Sequence, residues 1–186
     1  MTSAEMQRPS PAAAPEPSAA PRWIDRSFGD ALEWGGATHG DREAVVYGDE
    51  RLSFREVVDR VRAFARGLIE LGIEPGEKVA LWMSDRPEWL FARWAVPMIG
   101  AILVPVNTRF RDNDVQYVLA QSECTTLIVQ SGSRGTSYFE ILAKLVPDYR
   151  AQPVGEWSAA ALPALRRVIG LADAADAPPS MTRFQA

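Results

Sequence analysis

The sequence predicts an α/β fold: a mainly parallel sheet flanked by helices, entered through a β-hairpin. Three observations carry this. Continuous apolar runs at 79–83, 102–106 and 126–129 read as strands covered on both faces, the burial that parallel strands receive. Segments with helical apolar spacing separate these runs, and such alternation calls for βαβ units with right-handed crossovers. Upstream, Gly48-Asp49 joins two short β-prone runs, 44–47 and 51–53, as a hairpin.

In chain order, residues 28–34 read as a short helix closed by Gly35 and Gly36. After the hairpin, Ser53 and Glu56 form a capping box, the hydroxyl taking the N3 amide while the carboxylate reaches back. Apolar residues then recur at Phe54, Val57, Val58, Val61, Phe64, Ala65, Leu68 and Leu71, the spacing of one helix face. Glu56 with Arg60 and Arg66 with Glu70 make i,i+4 pairs on the other face, whose four arginines read as solvated; Gly72 ends the helix.

A turn at Glu74-Pro-Gly76 leads into the first apolar strand. Pro87 suits the first turn of the following helix, with Glu88 near its positive end, and that helix runs to about Ile99. The run at 102–106 reads as a second buried strand, although Pro105 lacks an amide donor and belongs at a strand end or edge. Asp112, Asn113 and Asp114 load the first turn of a helix whose apolar face holds Val115, Val118 and Leu119. Residues 126–129 and 168–171 make a third and a fourth strand. Beyond Leu171 the composition turns to Ala, Asp and Pro, and Arg183-Phe-Gln-Ala186 reads as the start of a helix.

Composition excludes several classes of function. The net charge is −4 and the basic residues form no clustered face of the kind a nucleic-acid partner needs. One cysteine, Cys124, rules out an internal disulfide and reads as a small buried hydrophobe rather than a reactive thiol. Residues 1–25 read as a disordered Pro/Ala-rich tail; Glu5 and Glu16, with no apolar core between them, argue against a targeting peptide. Residues 89–106 carry a single charge, Arg93, yet Pro97, Gly100 and Pro105 break the run, so no transmembrane segment is expected. A cytoplasmic location is expected.

Four segments carry a family resemblance. Leu52-Ser-Phe-Arg-Glu-Val57 resembles the L-T/S-Y-x-E-L box of the adenylate-forming (AMP-binding) superfamily, which includes acyl-CoA synthetases, luciferases and peptide-synthetase adenylation domains. Leu71-Gly-Ile-Glu-Pro-Gly-Glu-Lys-Val-Ala-Leu81 is similar to its L-G-(V/I)-x-x-G-D-x-V-A-L segment. Arg86-Pro-Glu-Trp89 resembles its S-P-E-F helix start, with arginine at the usual capping serine. Ile99-Gly-Ala-Ile-Leu-Val-Pro-Val-Asn107 is similar to its K-A-G-A-x-x-V-P-(L/I)-(N/D) box. Each match alone is weak; four in the right order and spacing are hard to obtain by chance. Asn107-Thr-Arg-Phe110 leans toward acyl- or aryl-CoA synthetases.

The resemblance implies that residues 26–186 are an incomplete N-terminal AMP-binding domain of an acid–CoA ligase (AMP-forming) of fatty acid metabolism. Such enzymes use ATP and Mg2+ to convert a fatty or aromatic carboxylic acid into an acyl-adenylate, from which the coenzyme A thiol displaces AMP. Charge develops on phosphate oxygens in both steps, so the chemistry needs a Gly/Ser/Thr phosphate loop and cations. The T-S-G-T-T-G-x-P-K-G loop, the Y-G-x-T-E segment, the ribose aspartate and the C-terminal lysine of the family have no counterpart here. The resemblance therefore implies no catalytic residue and no metal ligand in this chain, leaves its cofactor-binding residues unassigned, and implies no tight binding of ATP, Mg2+ or coenzyme A. It also leads us to expect the phosphate loop to be encoded downstream of Ala186.

The remaining candidates have structural readings. Ser131-Gly-Ser-Arg-Gly-Thr-Ser137 follows a strand and precedes a helix, as an anion nest would, but lacks both the dinucleotide and the Walker spacing. Lys78 and Lys144, the two lysines, follow no glycine-rich turn. His39 reads as a loop histidine without partners, and Arg109 as a surface ion pair rather than a contact to coenzyme A phosphates. A non-catalytic scaffold remnant or interaction module, and a free-standing nucleotide-binding domain, are the competing readings.

Overall fold

The computed structural model describes residues 26–171 and 179–184; the tail expected at 1–25 lies outside them. The chain opens with α1 (Phe28–His39), followed by the antiparallel hairpin β1 (Glu43–Tyr47) and β2 (Glu50–Ser53). Then come α2 (Phe54–Glu70), β3 (Lys78–Trp82), α3 (Pro87–Met98), β4 (Ile102–Pro105), α4 (Asp112–Gln121) and β5 (Thr126–Val129). A miniature hairpin, β6 (Gly132–Ser133) with β7 (Thr136–Ser137), precedes α5 (Tyr138–Leu145), a 3-10 turn at Tyr149–Ala151, β8 (Arg167–Leu171) and β9 (Thr182–Phe184).

The main sheet has the order β4-β3-β5-β8-β9, and every pairing in it is parallel. The alternation of side chains along each strand sorts the core into two layers. Val79, Leu81, Ile128, Ile169 and Leu171 face α1, α2 and α3. Ala80, Trp82, Leu127, Val129 and Val168 face α4 and α5.

Helix α2 starts and ends where its sequence signals place it. Ser53 Oγ accepts from the Glu56 amide at 3.3 Å while Glu56 accepts from the Ser53 amide at 2.8 Å. At the far end the Gly72 amide reaches Ile69 O and the Ile73 amide reaches Leu68 O, a Schellman closure that places Gly72 at φ +73°. Val57, Val58, Val61, Phe64, Ala65 and Leu68 are buried, as their spacing requires. The Glu56 carboxylate is committed to the cap, and two of the four α2 arginines pair elsewhere, Arg55 with Asp41 and Arg62 with Glu33.

The caps give the fold a pH dependence. Ser27 does for α1 what Ser53 does for α2, its amide and hydroxyl holding Asp30 below the ordinary carboxylate range. The Ser53 amide, then its hydroxyl, hold Glu56 down in the same way. A carboxyl whose folded pKa is depressed stabilises fully above its unfolded value and loses that contribution as pH falls through the folded one. The urea midpoint should therefore drop below about pH 4.5, the ordinary glutamate value. Glu56→Gln, which keeps a capping amide but cannot titrate, should flatten that limb; an unaltered limb would exclude this carboxyl as a source.

Four expectations are corrected. Helix α1 does not stop at Gly35-Gly36 but runs on to His39, with Gly40 at φ +42° as its end. The two glycines serve close packing: a Cβ on Gly36 would lie 2.6 Å from Val58 Cγ2, and one on Gly35 3.5 Å from the Phe54 ring. His39 is consequently the last helical residue, its ring 5.0 Å from that of Phe54 and 5.6 Å from that of Trp34. Strand β4 is half exposed rather than buried, because it forms the sheet edge, where Pro105 needs no ladder donor. Finally, the stretch read as a helix start at 183–186 is a strand over Thr182–Phe184; pairing with β8 outweighs a helical preference that four residues cannot sustain.

Candidate functional site

In an open parallel sheet, ligands bind beyond the carboxyl ends of the strands, where successive connections leave in opposite directions. Here the chain goes from β3 outward to β4, then crosses back to β5 on the other side of β3. The switch point therefore lies between the carboxyl ends of β3 and β5. Its geometry is set by Trp82, Ser84, Gln130, the 131–137 segment and the loop after β4.

Gln130, buried, follows the last residue of β5. Its Oε1 accepts from the amide and the hydroxyl of Ser84, each at 3.1 Å, and its Nε2 donates to Gly132 O. One side chain thus joins the two strand ends across 46 residues of sequence. Beside it the Tyr138 ring stacks on Trp82, centroids 4.0 Å apart and planes 14° from parallel. The Tyr138 hydroxyl donates to Thr108 O at 3.3 Å, and burial pushes this phenol up. Arg111 donates to Thr136 Oγ1, a second tie between the loops after β4 and β5.

The 131–137 segment is a tight hairpin with Arg134 and Gly135 both at positive φ, 49° and 77°, the requirement of a two-residue type I′ turn. Donors next to it are spent within the turn. The Tyr138 amide is spent on Ser131 O and the Glu140 amide on Ser137 Oγ. The space a Cβ would take on Gly132 is filled by Thr136 O, 2.2 Å away, so that glycine serves the hairpin rather than a ligand. A shallow cleft of about 720 Å3 opens beside it, lined by Arg134, Arg150, Glu140 and Tyr149 among others. Among the described residues no group of three or more His, Cys, Asp or Glu could hold a metal.

The other candidates are dispersed. Lys78 pairs with Glu123 at 2.9 Å at the amino end of β3, and Lys144 with Asp112 at 2.8 Å across α5 and α4. Neither faces the switch point. The Arg109 amide donates to Asn107 Oδ1 at 2.9 Å, while its side chain is exposed and makes no ion pair with a described residue. Cys124 is buried, which raises its thiol pKa, and touches Ser122 Oγ at 3.0 Å. The amino end of the sheet is structural: Glu77 accepts from Arg167 and from Thr125, both at 3.1 Å. Gln130 and the Trp82–Tyr138 pair escaped sequence reading; the one available signal was a glutamine directly after a wholly apolar strand.

A doubly wound parallel sheet with a hairpin in front of it and a switch point held by its own side chains defines the class of protein. The chain belongs to the AMP-binding enzyme family, whose model matches residues 32–179. YngI of Bacillus subtilis (strain 168), named a putative acyl-CoA synthetase, is 36% identical over 148 residues, 78% of this chain and 27% of that protein. The mouse protein named mitochondrial medium-chain acyl-CoA ligase ACSF2 is 27% identical over 80% of this chain and 24% of its own length. Among solved structures, the anthranilate CoA ligase AuaEII in complex with anthranoyl-AMP superposes with a TM-score of 0.61 at 25% identity, over 78% of this chain and 25% of that one. The chain thus spans about a quarter of the length of these relatives. No helix among the described residues is long and apolar enough to cross a membrane.

Proposed function

We propose that residues 26–186 are the N-terminal part of the AMP-binding domain of an AMP-forming acid–CoA ligase, preceded by a Pro/Ala-rich tail at 1–25. The whole enzyme would join a fatty or aromatic carboxylic acid to coenzyme A through an acyl-adenylate, using ATP and Mg2+. The observation that carries this reading is the family match over 32–179. Relatives named for a medium-chain acyl substrate and for anthranilate support the choice of acid class. A cytoplasmic location agrees with a single cysteine that stays buried and has no partner for an internal disulfide.

In this reading the chain's own residues position rather than react. Gln130 and Ser84 hold the strand ends, and Tyr138 and Arg111 hold the loops beside them, as the floor on which a phosphate loop from elsewhere in the enzyme would act. The chain alone should release no pyrophosphate when given Mg-ATP with fatty and aromatic acids, because the phosphate loop and the catalytic lysine of the family have no counterpart in its sequence. Acid-dependent release above a protein-free blank would overturn this assignment of roles. A scaffold module without catalysis is the second reading, favoured by a switch point that Gln130 already fills; if it holds, adding the remaining family segments from a relative should restore no release.

A further inference from the structure

We draw no further inference here: the strongest candidate, the shallow cleft beside the 131–137 hairpin with Arg134 and Arg150 on its rim, belongs to the site already described and, with both arginines exposed, adds no ligand to it.

Discussion

Trp82→Ala should cost about 3–5 kcal/mol of folding free energy, the range for truncating a buried large aromatic. Trp82 closes the interior strand β3, is fully buried, and packs among Val106, Val129 and Tyr138 on the α4–α5 side of the sheet. Its loss removes the stacking partner of Tyr138 and leaves a cavity where the sheet has no mobile neighbour to fill it. The indole also carries a liability, since its Nε1–H is buried without an acceptor. An orphaned donor costs about 1–3 kcal/mol, so Trp82→Phe, which keeps a ring on Tyr138 and deletes that donor, should lose much less than the alanine variant. Urea unfolding followed by far-ultraviolet circular dichroism separates the two. Equal losses would mean that the indole N–H is satisfied and that its hydrogen bond, rather than ring volume, decides the cost.

Gly132→Ala is expected to destabilise by about 1–3 kcal/mol, through overpacking against a rigid neighbour. The new Cβ would meet Thr136 O at 2.2 Å and Ser137 Cα at 3.1 Å, and backbone cannot step aside as a side chain can. The strands β6 and β7 must separate, which moves Gly132 O away from Gln130 Nε2 and loosens the tie from Gln130 to Ser84. Hydrogen exchange should therefore rise in 130–137 and also at Ser84, far away in sequence. Faster exchange in the hairpin without any change at Ser84 would show that Gln130 does not couple the two strand ends.

The family resemblance was legible because its motifs are local devices. Ser53 and Glu56 cap a helix within one turn, Gly72 ends it, and Gly100 at φ +80° turns α3 into β4 beneath Pro75, 3.1 Å from where its Cβ would be. The same motifs hold no reacting group, so they reveal the scaffold of a ligase and leave the site unspecified. The candidates drawn from residue type alone, Lys78, Lys144, His39 and Arg109, are spread over different ends and faces of the molecule. The 131–137 segment shows how composition can be read two ways: its glycines and hydroxyls match a phosphate nest, but the space beside Gly132 is filled by Thr136 O and the Tyr138 amide that follows is spent on Ser131 O.

By itself the sequence determined what depends on neighbours a few residues away. That covers the helix starts, the strand runs, the parallel βαβ alternation and the two faces of each strand, because helical and pleated periods are written along the chain. Only the tertiary structure decided what each face meets. It placed β4 at an edge, used Gly35 and Gly36 for helix contact instead of termination, and turned residues 182–184 into a strand. It also brought Gln130 to Ser84 and Tyr138 to Trp82. Those outcomes rest on contacts between segments distant in sequence, and a one-dimensional pattern records that a side chain is buried without recording against what.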